Sequence, residues 1–133
     1  MYLLDTNILS ELIKKRPNQR LVTRLRSKGS EELFTSTICV LELRFGGALR
    51  PDFETFWTKI EQEIISRVTV VPFGHEEAIV AGDILSDLKK EGRNIGLEDV
   101  MIGATAMANR FTVVTANIRH FSQIKGLRVE NWL

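Results

Sequence analysis

Short apolar runs alternate along this chain with longer stretches of helical periodicity, and most of the short runs stop at a polar or turn-forming residue. Tyr2-Leu3-Leu4 ends abruptly at Asp5 and reads as a strand. From Asn7 to Lys15 the apolar positions Ile8, Leu9, Leu12 and Ile13 share one helical face, with cations in the last turn suiting the negative end of the helix dipole. Pro17 closes that helix, and a second covers Gln19 to Lys28. Leu33-Phe34-Thr35 is a second strand, after which Ser36 or Thr37 caps a helix running to Leu49. Beyond Pro51, Phe53, Phe56, Trp57, Ile60 and Ile64 keep helical spacing. The β-branched run Val68 to Phe73 is a third strand, and Glu76 to Glu91 an amphipathic helix ending near Gly92. Asp99 to Asn109 is apolar almost all round and rich in Gly and Ala, which predicts a buried helix packed closely on a sheet. Phe111 to Thr115 is a fourth strand, and Leu127 to Glu130 a short fifth.

Strands alternating with helices imply parallel β–α–β units. The expected fold is α/β: a three-layer α/β/α sandwich around a mainly parallel sheet of four to five strands. No repeat, low-complexity tract or linker interrupts it, so residues 1–133 are expected to form a single domain. In open sheets of this kind functional groups gather beyond the carboxyl ends of the strands. A candidate site should therefore fall just after strands or at nearby helix starts.

Composition narrows the class. A hydrophobic share of 44% is enough to build a core and argues against a disordered or fibrous chain. No apolar run approaches the roughly 20 residues that cross a bilayer, and Tyr2-Leu3-Leu4 is too short for a signal-peptide core. Cys39 is the sole cysteine, which rules out a disulfide framework and a cysteine-based zinc site; a cytoplasmic setting is expected. Between Leu12 and Ser30 there is no acid, whereas Lys14, Lys15, Arg16, Arg20, Arg24, Arg26 and Lys28 are all basic. Such a face suits a nucleic-acid backbone, and equally a solvated helix surface.

The acids carry the chemistry. Asp5 directly follows the first strand; Glu42 sits inside the apolar run Ile38-Cys39-Val40-Leu41-Glu42-Leu43; Asp99 opens the buried helix; Asn117 follows the fourth strand. Asp5 and Asp99 could each be no more than helix caps. Glu42 could point to solvent or pair with Arg44, but on a buried face it needs a partner. Asp5, Asp99 and Asn117 converge on one edge of the expected sheet, and carboxylates gathered there repel one another unless a cation is bound. Oxygen donors select a hard ion, Mg²⁺ or Mn²⁺. Such an ion activates water and steadies the leaving oxygen of a phosphodiester, which together with the basic stretch points to a nuclease.

These segments resemble a known family. Met1-Tyr2-Leu3-Leu4-Asp5-Thr6-Asn7 is similar to the opening of PIN-domain ribonucleases, and Thr37 to Gly46 to the helix bearing their central Glu. Ile95 to Ala104 resembles their third acidic motif, Val114 to Phe121 their closing one, and Gly126 to Trp132 their tail. The resemblance spans nearly the whole chain and extends to the toxin half of bacterial VapBC-type toxin–antitoxin pairs. It implies that Asp5, Glu42 and Asp99 bind Mg²⁺ or Mn²⁺ for endonucleolytic RNA cleavage. Thr6 and Thr115 would hold the carboxylates or metal waters. Asn117 stands where family members often carry Asp and adds a carbonyl oxygen without charge, a fourth candidate ligand. The resemblance further implies a homodimer and a small VapB-like antitoxin that covers or distorts the site. The apolar face of the first helix and the helix from Phe53 are expected to form part of its groove.

Other residues are read as structural. His75 lies away from the motifs, and His120 is near enough to the fourth to touch RNA, but the pair does not fit the two-histidine logic of metal-free ribonucleases. Cys39 reads as core, Glu98 as a surface acid, and Phe53, Phe56 and Trp57 as core or dimer packing. Gly46-Gly47 lacks the lysine of a phosphate-binding loop. Three rivals stand beside the ribonuclease. A phosphoacceptor receiver domain needs an Asp after the third strand, which Val70-Val71-Pro72-Phe73-Gly74 does not supply. A non-catalytic RNA-binding or regulatory PIN-like module would not need all three acids. DNA cleavage is open to the same metal chemistry.

Overall fold

The apolar runs are short because each strand crosses only a thin core. In the computed structural model, which describes residues 1–133, the strands are β1 (Tyr2–Leu4), β2 (Leu33–Ser36), β3 (Thr69–Val71), β4 (Thr112–Val114) and β5 (Val129–Glu130). They form one sheet in the order β3-β2-β1-β4-β5, and every pairing is parallel. The helices between them are α1 (Thr6–Ile13), α2 (Gln19–Arg26), α3 (Thr37–Ala48), α4 (Phe53–Glu63), α5 (His75–Lys90), α6 (Leu97–Asn109) and α7 (Ile118–Phe121). Short 3-10 turns at Ser30–Glu32 and Ile65–Arg67 lead into β2 and β3.

The chain runs outward from β1 to β3, then returns over the sheet through α5 and α6 to β4 on the other side of β1. With right-handed crossovers this reversal puts the two groups of helices on opposite faces, giving the α/β/α sandwich. It also makes the gap between β1 and its neighbours the switch point of the sheet, where the carboxyl ends open a crevice. Leu3, Leu4, Val113 and Val114 fill the centre of the sheet and are almost wholly buried. Ile102, Ala104 and Ala106 of α6 are fully buried, as the all-round apolar stretch requires. Helix α3 packs against α1 and α4 and also against α6, so it joins the two layers beside the crevice.

Several element ends differ from the sequence expectation. Helix α1 closes at Ile13, so Lys14 is its C-cap and no cation lies in the last turn. Asp99 is not a cap: α6 starts two residues earlier, with Gly96 at the N-cap in a conformation of φ +93° that favours glycine. The third strand is shorter than the run Val68 to Phe73 because Pro72 has no N–H, and the N–H of Phe73 turns to Thr37 Oγ1 at 3.1 Å. The single turn α7 was not expected from periodicity, being too short to show any.

Candidate active site

Asp5 is the last residue that β1 can hold in extended backbone and the first that α1 needs at its N-cap. Its Oδ1 accepts the N–H of Thr6 at 2.8 Å. Its Oδ2 accepts the hydroxyl of Thr115 at 2.7 Å and the amide of Asn7 at 3.2 Å. Thr115 is there because Leu4 and Val114 are in register on neighbouring strands, so the next residue of each lies side by side. Asn7 ties the same corner from below, its Oδ1 accepting the N–H of Ala116 at 3.1 Å.

Glu42 comes in from α3. Ser36 starts that helix, its hydroxyl accepting from the N–H groups of Ile38 and Cys39, which settles the choice between Ser36 and Thr37 as cap. One turn and a half further on, Glu42 Oε1 accepts the Thr6 hydroxyl at 2.6 Å. The pairing with Arg44 does not occur, because the Arg44 guanidinium lies over the rings of Phe53 and Trp57 at 4.4 and 4.9 Å. Asp99 reaches the crevice from the first turn of α6. Its Oδ2 is met by Asn117 Nδ2 at 3.3 Å and by His120 Nδ1 at 2.8 Å.

Together Asp5, Glu42, Asp99 and Asn117 line one open groove of ≈ 480 Å³, with Thr6, Asn7, Ser10, Glu11 and Lys14 on its α1 wall. Glu98, as expected, is exposed. Asp5 is 4% exposed, and burial pushes its carboxyl up to about 6. The bonds from Thr115 and Thr6 oppose that rise, while the charges of Asp99 and Glu42 add to it. No lysine or arginine pairs with Asp5, Glu42 or Asp99; Lys14 is bound to Glu11, and His120 is the only basic group touching the three. Buried carboxylates are ordinarily paired or bound to metal. Behind them Cys39 is fully buried, and that burial, with Asp5 nearby, raises its thiol further, so it is core as read.

The donor set fits a hard divalent ion: it is all oxygen and carries an excess of negative charge with no internal counter-ion. As the side chains stand, no three acidic or imidazole groups close around one point. That is compatible with Mg²⁺, which keeps several waters and takes few protein ligands. Of the basic residues, Lys14 faces the groove, whereas Arg24 bonds to Glu130 at 3.1 Å and Lys28 lies 4.9 Å from the Tyr2 ring centroid. His75 is exposed at the start of α5, away from the groove. The contact of His120 with Asp99 was missed at the level of sequence, and so was Asn7. The only signal was their place inside the first and fourth motifs.

The chain matches the PIN domain family over residues 2–127. It is 33% identical to the protein named ribonuclease VapC2 from Haemophilus influenzae, over 99% of this chain and 98% of that one. It is 30% identical to the tRNA(fMet)-specific endonuclease VapC of Salmonella typhimurium, over 98% and 97% of the two chains. Its structure is similar to a chain of VapBC2 from Rickettsia felis, solved bound to a DNA fragment from their promoter, with a TM-score of 0.92 at 29% identity over 99% and 98% of the chains.

Proposed function

Because the chain belongs to the PIN-domain family and has VapC ribonucleases as near full-length relatives, we propose that it is a metal-dependent endoribonuclease acting as the toxin of a VapBC-type pair. One observation carries the reading. Asp5, a buried carboxylate without any lysine or arginine partner, opens with Glu42 and Asp99 into a single groove at the switch point of the sheet. Residues 1–133 then act as one PIN-like domain.

On this reading Asp5, Glu42 and Asp99 hold the ion, Mg²⁺ with Mn²⁺ as a substitute, and Asn117 contributes the carbonyl oxygen of an amide whose nitrogen is bound to Asp99. The ion, when bound, makes a water more acidic and stabilises charge on the scissile phosphate. The chain does the rest. Thr115 and the Thr6 N–H fix both oxygens of Asp5, and the Thr6 hydroxyl fixes Glu42, so the acids keep their relative placement. Near neutrality Asp5 is largely ionised, since its carboxyl titrates at about 6. Lys14 at the mouth of the groove offers a cation to the phosphates of an RNA strand.

The antitoxin partner follows from the same kinship. A second groove of ≈ 690 Å³ is walled by Leu9 and Leu12 of α1, Val22 and Leu25 of α2, and Ile64 and Val68 beyond α4. Its apolar walls, edged by Arg26, Lys28, Glu63 and Arg67, suit the amphipathic segment of a small VapB-like protein. No helix is long and apolar enough to cross a membrane.

The test is cleavage of a pool of structured RNAs that includes initiator transfer RNA, the substrate named for the Salmonella relative. Wild type is expected to cut with Mg²⁺ or Mn²⁺, to stop with EDTA, and to lose activity on Asp5→Asn. Folded protein that cuts no RNA in the pool with either ion would favour the non-catalytic module instead.

A further inference from the structure

We propose that His120 is a positioning residue for Asp99, presenting that carboxylate to the divalent ion through an Nδ1–H bond made by a one-turn helix docked on α6. The inference rests on the reading of Asp99 as a metal ligand and goes beyond it in naming what holds the ligand in place. Asp99 is half-buried, and its side chain is carried on the first turn of α6, where more than one rotamer is open to a carboxylate unless a contact from outside the helix selects one. Asp5 and Glu42 are fixed by threonines; Asp99 has only Asn117 and His120.

The charge of the carboxylate assigns the direction of these bonds. Asp99 Oδ2, Asn117 Nδ2 and His120 Nδ1 form a near-triangle with sides of 3.3, 2.9 and 2.8 Å. An ionised carboxylate only accepts, so both nitrogens turn their protons to Oδ2. The short approach between the two nitrogens is then the contact of two donors on one acceptor. Oδ2 is thereby committed to the chain, and Oδ1, which takes no bond within it, is left for the ion. Metal-bound carboxylates and imidazoles are commonly held in this way by outer partners, whose removal costs about 10–100-fold in metal affinity or activity.

The fold is built to bring His120 there. Phe121, the next residue, is fully buried and anchors α7. It packs towards Gly103, one helical turn after Asp99 on the same side of α6; a Cβ at Gly103 would lie 3.8 Å from Phe121 and 2.6 Å from Ile124. The bare backbone at Gly103 makes room for Ile124, in the turn that follows α7 and is bonded back to it from the Ile124 N–H to the Phe121 carbonyl, so the segment carrying His120 lies flat on α6. The imidazole keeps 43% of its surface exposed, so it does not serve the core itself.

Two measurements test this on the full-length protein. The first is the ¹⁵N spectrum of the His120 ring in metal-free protein, at a pH above the ordinary imidazole range. The Nδ1–H tautomer is expected in wild type, with reversion to the Nε2–H form usual for free histidine in Asp99→Ala, which leaves no side-chain acceptor at that position. The Nε2–H form in wild type would overturn the proposal. The second is Mn²⁺ binding by titration calorimetry. His120→Ala should weaken it about tenfold, at the lower end of the outer-partner range. His120→Asn, whose amide nitrogen stands where Nδ1 stood, should recover most of the affinity, and His120→Gln, whose nitrogen lies farther out, should not. Wild-type affinity in His120→Ala, with binding still lost in Asp99→Asn, would remove His120 from the site and leave the metal reading intact. Binding unchanged in both Asp5→Asn and Asp99→Asn would overturn the metal reading as well.

Discussion

At the scale of single residues, Asp5 shows how a fold can hold a destabilising group in place. Its carboxyl is raised from 3.8 to about 6 chiefly because burial disfavours the charge. A group bound more tightly to its proton in the folded state favours folding while protonated. The contribution is complete below about pH 4 and is lost as the pH climbs through about 6, amounting to about 3 kcal/mol for the whole shift. Asparagine at this position does not titrate. In EDTA, the stability of Asp5→Asn relative to wild type should therefore increase between acid and neutral pH by up to that amount, measured by urea unfolding. A pH-independent difference would contradict the burial argument. Mg²⁺ should stabilise wild type at neutral pH and leave Asp5→Asn nearly unaffected, because only an ion that binds the folded state shifts the equilibrium. Asp5 was legible in the sequence because it ends a strand, but its protonation was not, since that depends on what covers it.

At the scale of elements, the site depends on helices being placed closely and started correctly. Ser36 answers two N–H groups at the head of α3, the helix that carries Glu42, and Ser36→Ala should lower stability by about 1 kcal/mol in thermal or urea unfolding. Gly103 has the opposite logic. Alanine would favour the helix by about 0.5–1 kcal/mol through backbone entropy. It would also place a Cβ 2.6 Å from Ile124 Cδ1, inside a contact that must then open. Overpacking of this kind costs about 1–3 kcal/mol, so Gly103→Ala should destabilise on balance. It should also weaken Mn²⁺ binding by pushing out Ile124 and, through the bond from its N–H to the Phe121 carbonyl, the turn that holds His120 on Asp99, an effect Ser36→Ala does not share at that residue. A stabilised Gly103→Ala with unchanged metal affinity would mean that α7 adapts freely. The helical periods announced α3 and α6 within a residue or two, yet α7 went unseen, because one turn leaves no repeating pattern to read.

At the scale of the whole molecule, α3 turns an apolar stripe outward. Leu41, Phe45 and Leu49, spaced four apart, are 60%, 66% and 74% exposed. A stripe of this size on one helix is unusual for a lone surface and fits the homodimer expected from the family resemblance. Phe45→Glu should yield a monomer by light scattering while the far-ultraviolet circular dichroism stays that of the folded chain. Wild type that is itself monomeric at high concentration would exclude the dimer. Of the aromatic residues read from sequence as core or dimer packing, Phe56 and Trp57 pack half-buried against the core, whereas Phe53 is half-buried outside it, and Arg44 and Arg50 lie across the three rings.

The sequence by itself determined the order and type of the main elements, the parallel α/β/α class, and the positions of Asp5, Glu42, Asp99 and Asn117. Periodicity, capping and the change from strand to helix are properties of neighbouring residues, so they survive without a structure. The tertiary structure alone decided which of these groups meet. It put β4 beside β1, so that Thr115 bonds to Asp5 across 110 positions of the chain, and let Thr6 rather than Arg44 take Glu42. It also brought His120 to Asp99 and seated Ile124 on the bare backbone of Gly103. Hydrogen bonds and desolvation are set by distances in space, and packing between distant segments fixes those distances.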